Sequence, residues 1–482
     1  MDALAPDNRL TNANFTKPRL AAFAAAALPA ASLQLPLSVY LPNYYASHLG
    51  LNLAIVGATF SAVRLIDILF DPAIGVAIDA TRTRFGRFRP WMLASVPILM
   101  VSIYMIFMAP IGATTGYLLA WLLVMYAGYS MVILGHSAWA AALAPKYHQR
   151  SRIYGVMQAT GVLGTVSVLA LPPILVASGN SSTAAGVQAM GLFIVAIIPI
   201  AIAFCVIMVR EPVRVEVRER LGLRDYWSLI ARPSMLRVLA SDLFLALGPA
   251  ITAVLYIFFF TQVLKYTRNT TTLLLLLYIL AGIVGAPFWA QVAKRLGKHR
   301  TVMTACVLYG FAQAIVFFQP PGNLIFMIPG MFFAGFVVSA FTFLIRAMVA
   351  DVSDEVRLDI GKDRTALLYA LITSTSKVGS TLAAGIVFPI IYYFGFNPKE
   401  GVVNSHEALG ALTACYVIVP VLTMFVGAAW LWGYKLDETR HDAIRGELRL
   451  RDEALQGAEG AVESLTGGTL PQAPALGLNA PT

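Results

Sequence analysis

Long apolar runs recur along the whole chain. Crossing about 30 Å of hydrocarbon takes roughly 20 apolar residues in a helix. Twelve segments meet that length: 20–45, 53–79, 91–111, 116–143, 153–178, 188–209, 237–263, 271–293, 301–319, 322–350, 366–394 and 407–434. Composition agrees. Of 482 residues, 58% are hydrophobic and 12% charged, against about 25% charged in soluble domains. A soluble core of this size would need more polar surface, so lipid is expected to cover most of the outside. The expected fold class is an all-α membrane protein with twelve transmembrane helices.

Loop charge gives the orientation. Loops after even-numbered spans hold Arg82, Arg84, Arg87 and Arg89, then Lys146, Arg150 and Arg152, the basic stretch 210–232, Lys294 to Arg300, and Arg357, Lys362 and Arg364. Loops after odd-numbered spans hold only Lys265, Arg268 and Lys399. Positive charge stays on the cytoplasmic side, so both termini are expected there, in a multi-pass protein of the plasma (inner) membrane. The expected division is a cytoplasmic segment 1–19, a six-helix bundle 20–209, a basic connection 210–236, a second six-helix bundle 237–436 and a cytoplasmic tail 437–482. In the tail, 437–455 reads as a charged surface helix and the Gly-, Ala- and Pro-rich remainder as disordered. "RFGRFR" at 84–89 follows span 2 and "RLGKHR" at 295–300 follows span 8, which suggests internal duplication.

Other classes find little support. The net charge of +10 is explained by cytoplasmic loops, so no nucleic acid is expected as a partner. Cys205, Cys306 and Cys415 lie far apart, without metal or disulfide spacing. The first 19 residues are polar and lack a secretory signal, so span 1 is expected to act as its own insertion signal. No nucleophile–base constellation, phosphate loop or zinc spacing occurs; neither an enzyme nor a cofactor is expected. The rival enzyme reading is an intramembrane prenyltransferase, whose DxxxD pairs hold Mg²⁺ and diphosphate. Asp67 and Asp71 have that spacing, as do Glu355 and Asp359. However, Asp71 is followed by Pro72 and an apolar run, and the two pairs lie in unlike settings.

The costliest charges lie inside spans. Asp67 and Asp71 stand four apart on one face of span 2, with Arg64 a turn earlier. Intramembrane ionisable groups turn to a polar interior or a partner. One reading is a structural Arg64–Asp67 ion pair; the other is a cation site, since two close carboxylates share a metal ion or hold a proton. Lys377 lies at least ten residues from both expected ends of span 11, too deep for easy snorkelling, and is a candidate charge partner from the other half. His136 and Trp139 share a face of span 4. His136 is either a structural hydrogen-bond partner or a cavity residue. Gln34, Tyr40 and Tyr44 on span 1, with Gln262 and Tyr266 near span 7, are candidate cavity residues; the two outermost tyrosines read equally well as interfacial. Asp79, Arg82 and Arg89 in one half, and Asp351, Asp354 and Arg364 in the other, sit at cytoplasmic span ends. They are either solvated loop charges or a gate that pairs across the halves in one state.

The architecture resembles the major facilitator superfamily. "DPAIGVAIDATRTRFGRFRPW" in span 2 and beyond resembles the glycoside-pentoside-hexuronide:cation symporters, the group that includes the melibiose carrier. So do "LPLSVYLPNYYASHLGL", "HSAWAAALAPKYHQRSRIYG" and "MVADVSDEVRLDIGKDRTALLYALITSTSKVGS", so the resemblance spans nearly the whole chain. It implies two six-helix bundles, cation-coupled symport of a sugar-like small molecule by alternating access, and a coupling-cation role for Asp67 and Asp71. It also implies a sugar-stacking role for Trp139 and a lysine in the context of Lys377. There are departures. Phe70 precedes Asp71, and Val132 stands on span 4, where the melibiose carrier has an Asn and a Thr that help bind sodium. Losing those oxygens favours H⁺ over Na⁺, although Ser137 or a carbonyl is a possible substitute. Ala31 and Gly135 replace its galactoside-binding carboxylates. A more apolar cavity leaves a lysophospholipid or other amphipathic cargo as the alternative. A monomer in membrane lipid is expected.

Overall fold

A computed structural model of the chain describes residues 16–81, 83–143, 147–179, 182–211, 223–361, 364–399 and 402–465. Twelve helices among them are long and apolar enough to cross a membrane. Spans 1–6 are Lys17–His48, Leu53–Ile78, Arg89–Phe107, Thr115–Ala140, Ile153–Ala177 and Ala184–Met208. Spans 7–12 are Pro233–Val263, Arg268–Leu296, Lys298–Phe317, Leu324–Ile360, Leu367–Tyr393 and His406–Trp430. No strand forms among the described residues. The protein is an all-α membrane protein of two six-helix bundles.

Both ends of the described chain lie at one end of the bundle, called here the terminal end; the other is the distal end. Every even-numbered span begins at the distal end, and each begins with a neutral cap. Asn52, Thr114, Ser182, Thr267, Asn323 and Ser405 accept backbone N–H groups of spans 2, 4, 6, 8, 10 and 12, at 2.9 to 3.4 Å. Such caps satisfy amides that the helix leaves without partners. Basic residues instead begin three of the helices at the terminal end, those of spans 1, 3 and 9. Arg89 is the first residue of span 3, and Lys298 the first of span 9.

The two halves repeat one another in backbone detail. Span 1 finishes in a widened turn, with Leu49 N–H on Tyr44 O at 3.2 Å and Leu51 N–H on Tyr45 O at 3.0 Å. Span 7 finishes the same way, with Leu264 on Phe259 at 3.1 Å and Tyr266 on Phe260 at 2.9 Å. The basic loops match too. Gly86 has φ 110° and Gly297 has φ 82°, a region costly for side-chain-bearing residues.

Some boundaries differ from the sequence reading. Span 10 continues past residue 350 to Ile360, because Val352 and Val356 keep an apolar face buried. The connection 210–236 contains a short helix, Leu223–Ile230, whose Leu229 is buried. The helix read as 437–455 runs Glu438–Leu465, ten residues further. It is anchored by Ile444 and Leu448, which are buried with the span 10 side chains of the second bundle's core.

The halves meet at the distal end. Span 2 packs along span 11. A Cβ on Gly57 would lie 2.7 Å from Ala384 O and 2.8 Å from Phe388 Cδ2, so only glycine fits this crossing. Ser61 Oγ donates to Thr381 O at 2.7 Å. Tyr40 on span 1 shares a hydrogen bond with Thr272 on span 8 at 3.0 Å, and Arg268 Nη1 donates to Asn43 Oδ1 at 2.8 Å.

Candidate functional site

Midway along span 2 the two carboxylates face span 11. Lys377 Nζ, from the other half, contacts Asp71 Oδ2 and stands 3.5 Å from Asp67 Oδ2. Asp67 is buried, and its Oδ1 accepts from Ser130 Oγ on span 4 at 2.8 Å. Asp71 Oδ1 is buried and accepts no hydrogen bond from any described residue. An unpartnered buried carboxylate oxygen is costly as an anion, and its chemistry allows it to take up a proton or a metal ion.

Arg64, expected as a second charge partner, feels the charge of Asp67 but forms no ion pair with it. Its Nε donates to Tyr126 OH on span 4 at 2.8 Å. Asp67 is already served by Ser130 and Lys377, so the guanidinium turns to the tyrosine. Phe70, which precedes Asp71 in place of an oxygen-bearing side chain, is 54% exposed and points out of the bundle. Val132 is buried, and Ser137 offers its carbonyl to Tyr154 OH at 3.2 Å. The span 4 oxygen nearest the carboxylates is Ser130, which the sequence reading missed.

The expected cavity residues are scattered. His136 and Trp139 are buried inside the first half. His136 Nε2 pairs with Phe23 O at 2.9 Å, and its ring lies 4.5 Å from that of Phe23. Trp139 meets Phe23 edge-on at 5.4 Å. Their shared helix face, from which the cavity role was read, packs against span 1. Tyr40 is buried and walls a distal recess with Pro172, Val176, Ile257, Arg268 and Thr272. Tyr44 stacks on His48, and Tyr266 OH donates to Asn323 O. Gln34 is exposed midway along span 1, and Gln262 lies half-buried in the distal turn of span 7. The structure does not bring these two together.

Of the expected gate residues, Arg89, Asp351 and Asp354 bond within their own halves. Glu211, at the end of span 6, accepts Arg87 N–H at 2.6 Å and Phe88 N–H at 3.1 Å. Arg89 donates to Val209 O and lies over the Trp139 ring at 5.7 Å. Asp351 accepts from Lys298 Nζ at 2.5 Å, and Asp354 pairs with His441 at 2.9 Å. Arg364 occupies the N-cap position of span 11. Arg82 and the side chain of Asp79 lie outside the described residues.

Sequence reasoning also missed Asp242. It is a buried carboxylate in span 7 that accepts from Thr375 Oγ1 at 2.9 Å and Ser376 Oγ at 2.6 Å. The signal was available: "LASDLFLAL" places an acid in an apolar run, as span 2 does.

Comparison with known proteins points one way. The model of a family described as MFS/sugar transport protein matches residues 22–438. The isoprimeverose transporter of Lactiplantibacillus pentosus is 27% identical over 422 residues, 83% of this chain and 85% of that protein. The putative glycoside/cation symporter YagG of Escherichia coli K12 is 23% identical, over 86% of this chain and 91% of its own length. Among solved structures, a crystal structure of the nucleoside transporter NupG superposes with a TM-score of 0.64 at 12% identity. That match covers 87% of this chain and all of NupG, and it speaks for the fold alone.

Proposed function

Because the chain belongs to the MFS/sugar transport protein family, and is therefore a transporter and not an enzyme, we propose that it is a proton-coupled symporter of a sugar or glycoside. One observation carries the coupling. A lysine of one half bridges two carboxylates of the other, and one carboxylate oxygen is left unpartnered.

The chemistry follows from charge balance. One ammonium faces two carboxylates, so these three groups carry about one net negative charge, with the Arg64 guanidinium a turn away on Tyr126. A single proton on Asp71 removes that negative charge, weakens the hold on Lys377 and frees the halves to move. Sodium would need a shell of several oxygens, and beyond the carboxylates Ser130 is the neutral one at hand, already donating to Asp67. That supports H⁺ over Na⁺. The relatives' names support sugar-like cargo.

Basic loops at the terminal end support a cytoplasmic side for that end and both termini, in a protein of the plasma (inner) membrane. The distal contacts then close the outer mouth, and the halves open inward. Residues 20–209 and 237–436 are the rocking units. Both sides of the charge centre come from one chain, so a monomer suffices.

The test is uptake into proteoliposomes of radiolabelled glycosides, pentosides, uronides and lysophospholipids, with a proton or a sodium gradient imposed separately. Wild type is expected to accumulate a glycoside-type compound on the proton gradient, and Asp67→Asn/Asp71→Asn only to equilibrate it. Unchanged accumulation by that variant rejects the carboxylate mechanism. Accumulation on sodium alone reassigns the ion, and accumulation of the lysophospholipid reassigns the cargo.

A further inference from the structure

Asp242 has no part in the ion-loading scheme above, yet it sits beside its moving charge. Its Oδ2 takes both hydroxyls of Thr375 and Ser376, the two residues immediately before Lys377. Just after Lys377, span 11 presses on span 7 again: a Cβ on Gly379 would lie 2.4 Å from Leu243 O and 3.1 Å from Ala246 Cβ. On the other side of the same turn, Lys377 reaches Asp71 and Asp67 on span 2. One turn of span 11 is thus hooked to span 7 and charged against span 2.

Successive residues of a helix are set about 100° apart. Holding residues 375 and 376 against span 7 therefore fixes the direction in which residue 377 leaves the helix. Helical Ser and Thr ordinarily return their hydroxyls to a carbonyl one turn back. Thr375 also does so, on Ile372 O at 2.9 Å, whereas the bond of Ser376 goes to Asp242. Without Asp242, neither hydroxyl has a reason to face span 7.

We propose that Asp242 is a positioning residue for Lys377: by holding the Thr375 and Ser376 hydroxyls against span 7, it aims the ammonium at Asp67 and Asp71 and so sets their affinity for the coupling ion. The inference rests on the reading of that pair as the ion site. It also gives span 7 a mechanical line to the ion, since any shift of span 7 turns Lys377.

The test needs no transported substrate. An ion that binds the folded state raises its melting temperature, and the ion concentration that gives half of a set reference rise, the midpoint used below, scales with the dissociation constant. Melting of the purified full-length chain is followed against pH without sodium, and against NaCl at fixed alkaline pH. The ion response is the part of the wild-type curve that Asp67→Asn/Asp71→Asn abolishes. Asp242→Ala and the double variant Thr375→Ala/Ser376→Ala are expected to move its midpoint about tenfold in ion concentration, the usual size of a supporting-shell loss. Asp242→Asn keeps an acceptor for both hydroxyls and is expected to stay within about twofold. An unmoved midpoint in the hydroxyl double variant, or one displaced as far in Asp242→Asn as in Asp242→Ala, overturns the proposal. If Asp242→Ala does not fold, the hydroxyl variant decides alone. A wild type whose melting matches that of Asp67→Asn/Asp71→Asn under every condition rejects the ion site itself, and the positioning role with it.

Discussion

At the distal end, span 2 lies against span 11 through Gly57 and Ser61, and Arg268 reaches across to Asn43. At the terminal end, Glu211, Asp351 and Asp354 each bond inside their own half. One end is therefore held shut between the halves, and the other is braced within them. The materials differ as well. Apart from Arg268, the distal seam is made of small residues, hydroxyls and amides, whose bonds exchange for water at modest net cost. The terminal end is made of charges, which need a counterion in any conformation. The charge centre of Asp67, Asp71 and Lys377 stands between the two ends. That is the place from which a change of charge acts on both.

The largest expected effect comes from wedging the distal seam. Gly57→Leu puts a side chain where a Cβ already meets Ala384 O. Overpacking of this kind costs about 1–3 kcal/mol, charged to the closed arrangement alone. A Ser61→Cys reporter, buried in the wild-type seam, is expected to react with a membrane-impermeant maleimide readily in the Gly57→Leu background and only slowly in the wild-type one. Equal labelling in both backgrounds removes the closed seam from the comparison. Arg268→Ala should act in the same direction and less strongly. It forfeits the bond to Asn43, about 1–2 kcal/mol for a charge-assisted contact, and should raise labelling of the same reporter at least about fivefold. Asp351→Asn sharpens the contrast from the other side. Its partner Lys298 is 36% exposed, but Asp351 is buried and also lies 3.5 Å from His441, so its charge is worth more than an exposed pair's roughly 1 kcal/mol. A drop in melting temperature is expected, with reporter labelling unchanged. A change in labelling would mean that the terminal pairing also sets the distal seam.

Much of the site could be read in one dimension because charge inside a membrane span is rare. Asp67, Asp71 and Lys377 each interrupt an apolar run, and the cost of such a group in lipid makes its position informative by itself. The same logic should have raised Asp242, whose run is equally apolar. Neutral partners carry no such flag. Ser130 and Tyr126 are ordinary span residues until span 4 is laid against span 2. Trp139 misled for the opposite reason. An indole suits a sugar and a core equally well, and its face was taken by Phe23.

The linear sequence determined the twelve spans, the two halves, the orienting asymmetry of basic loops and the presence of intramembrane acids. Each of these depends on hydrophobicity or charge summed along a short stretch, and lipid reads that sum directly. Tertiary structure decided most of the partners. Lys377 met span 2 as its depth in span 11 suggested, but Arg64 went to a tyrosine and Asp242 to two hydroxyls. A pairing is a property of two helix faces and of the direction in which each is turned. That direction is set by close approaches, such as Gly57 against Ala384, between residues hundreds of positions apart in the chain.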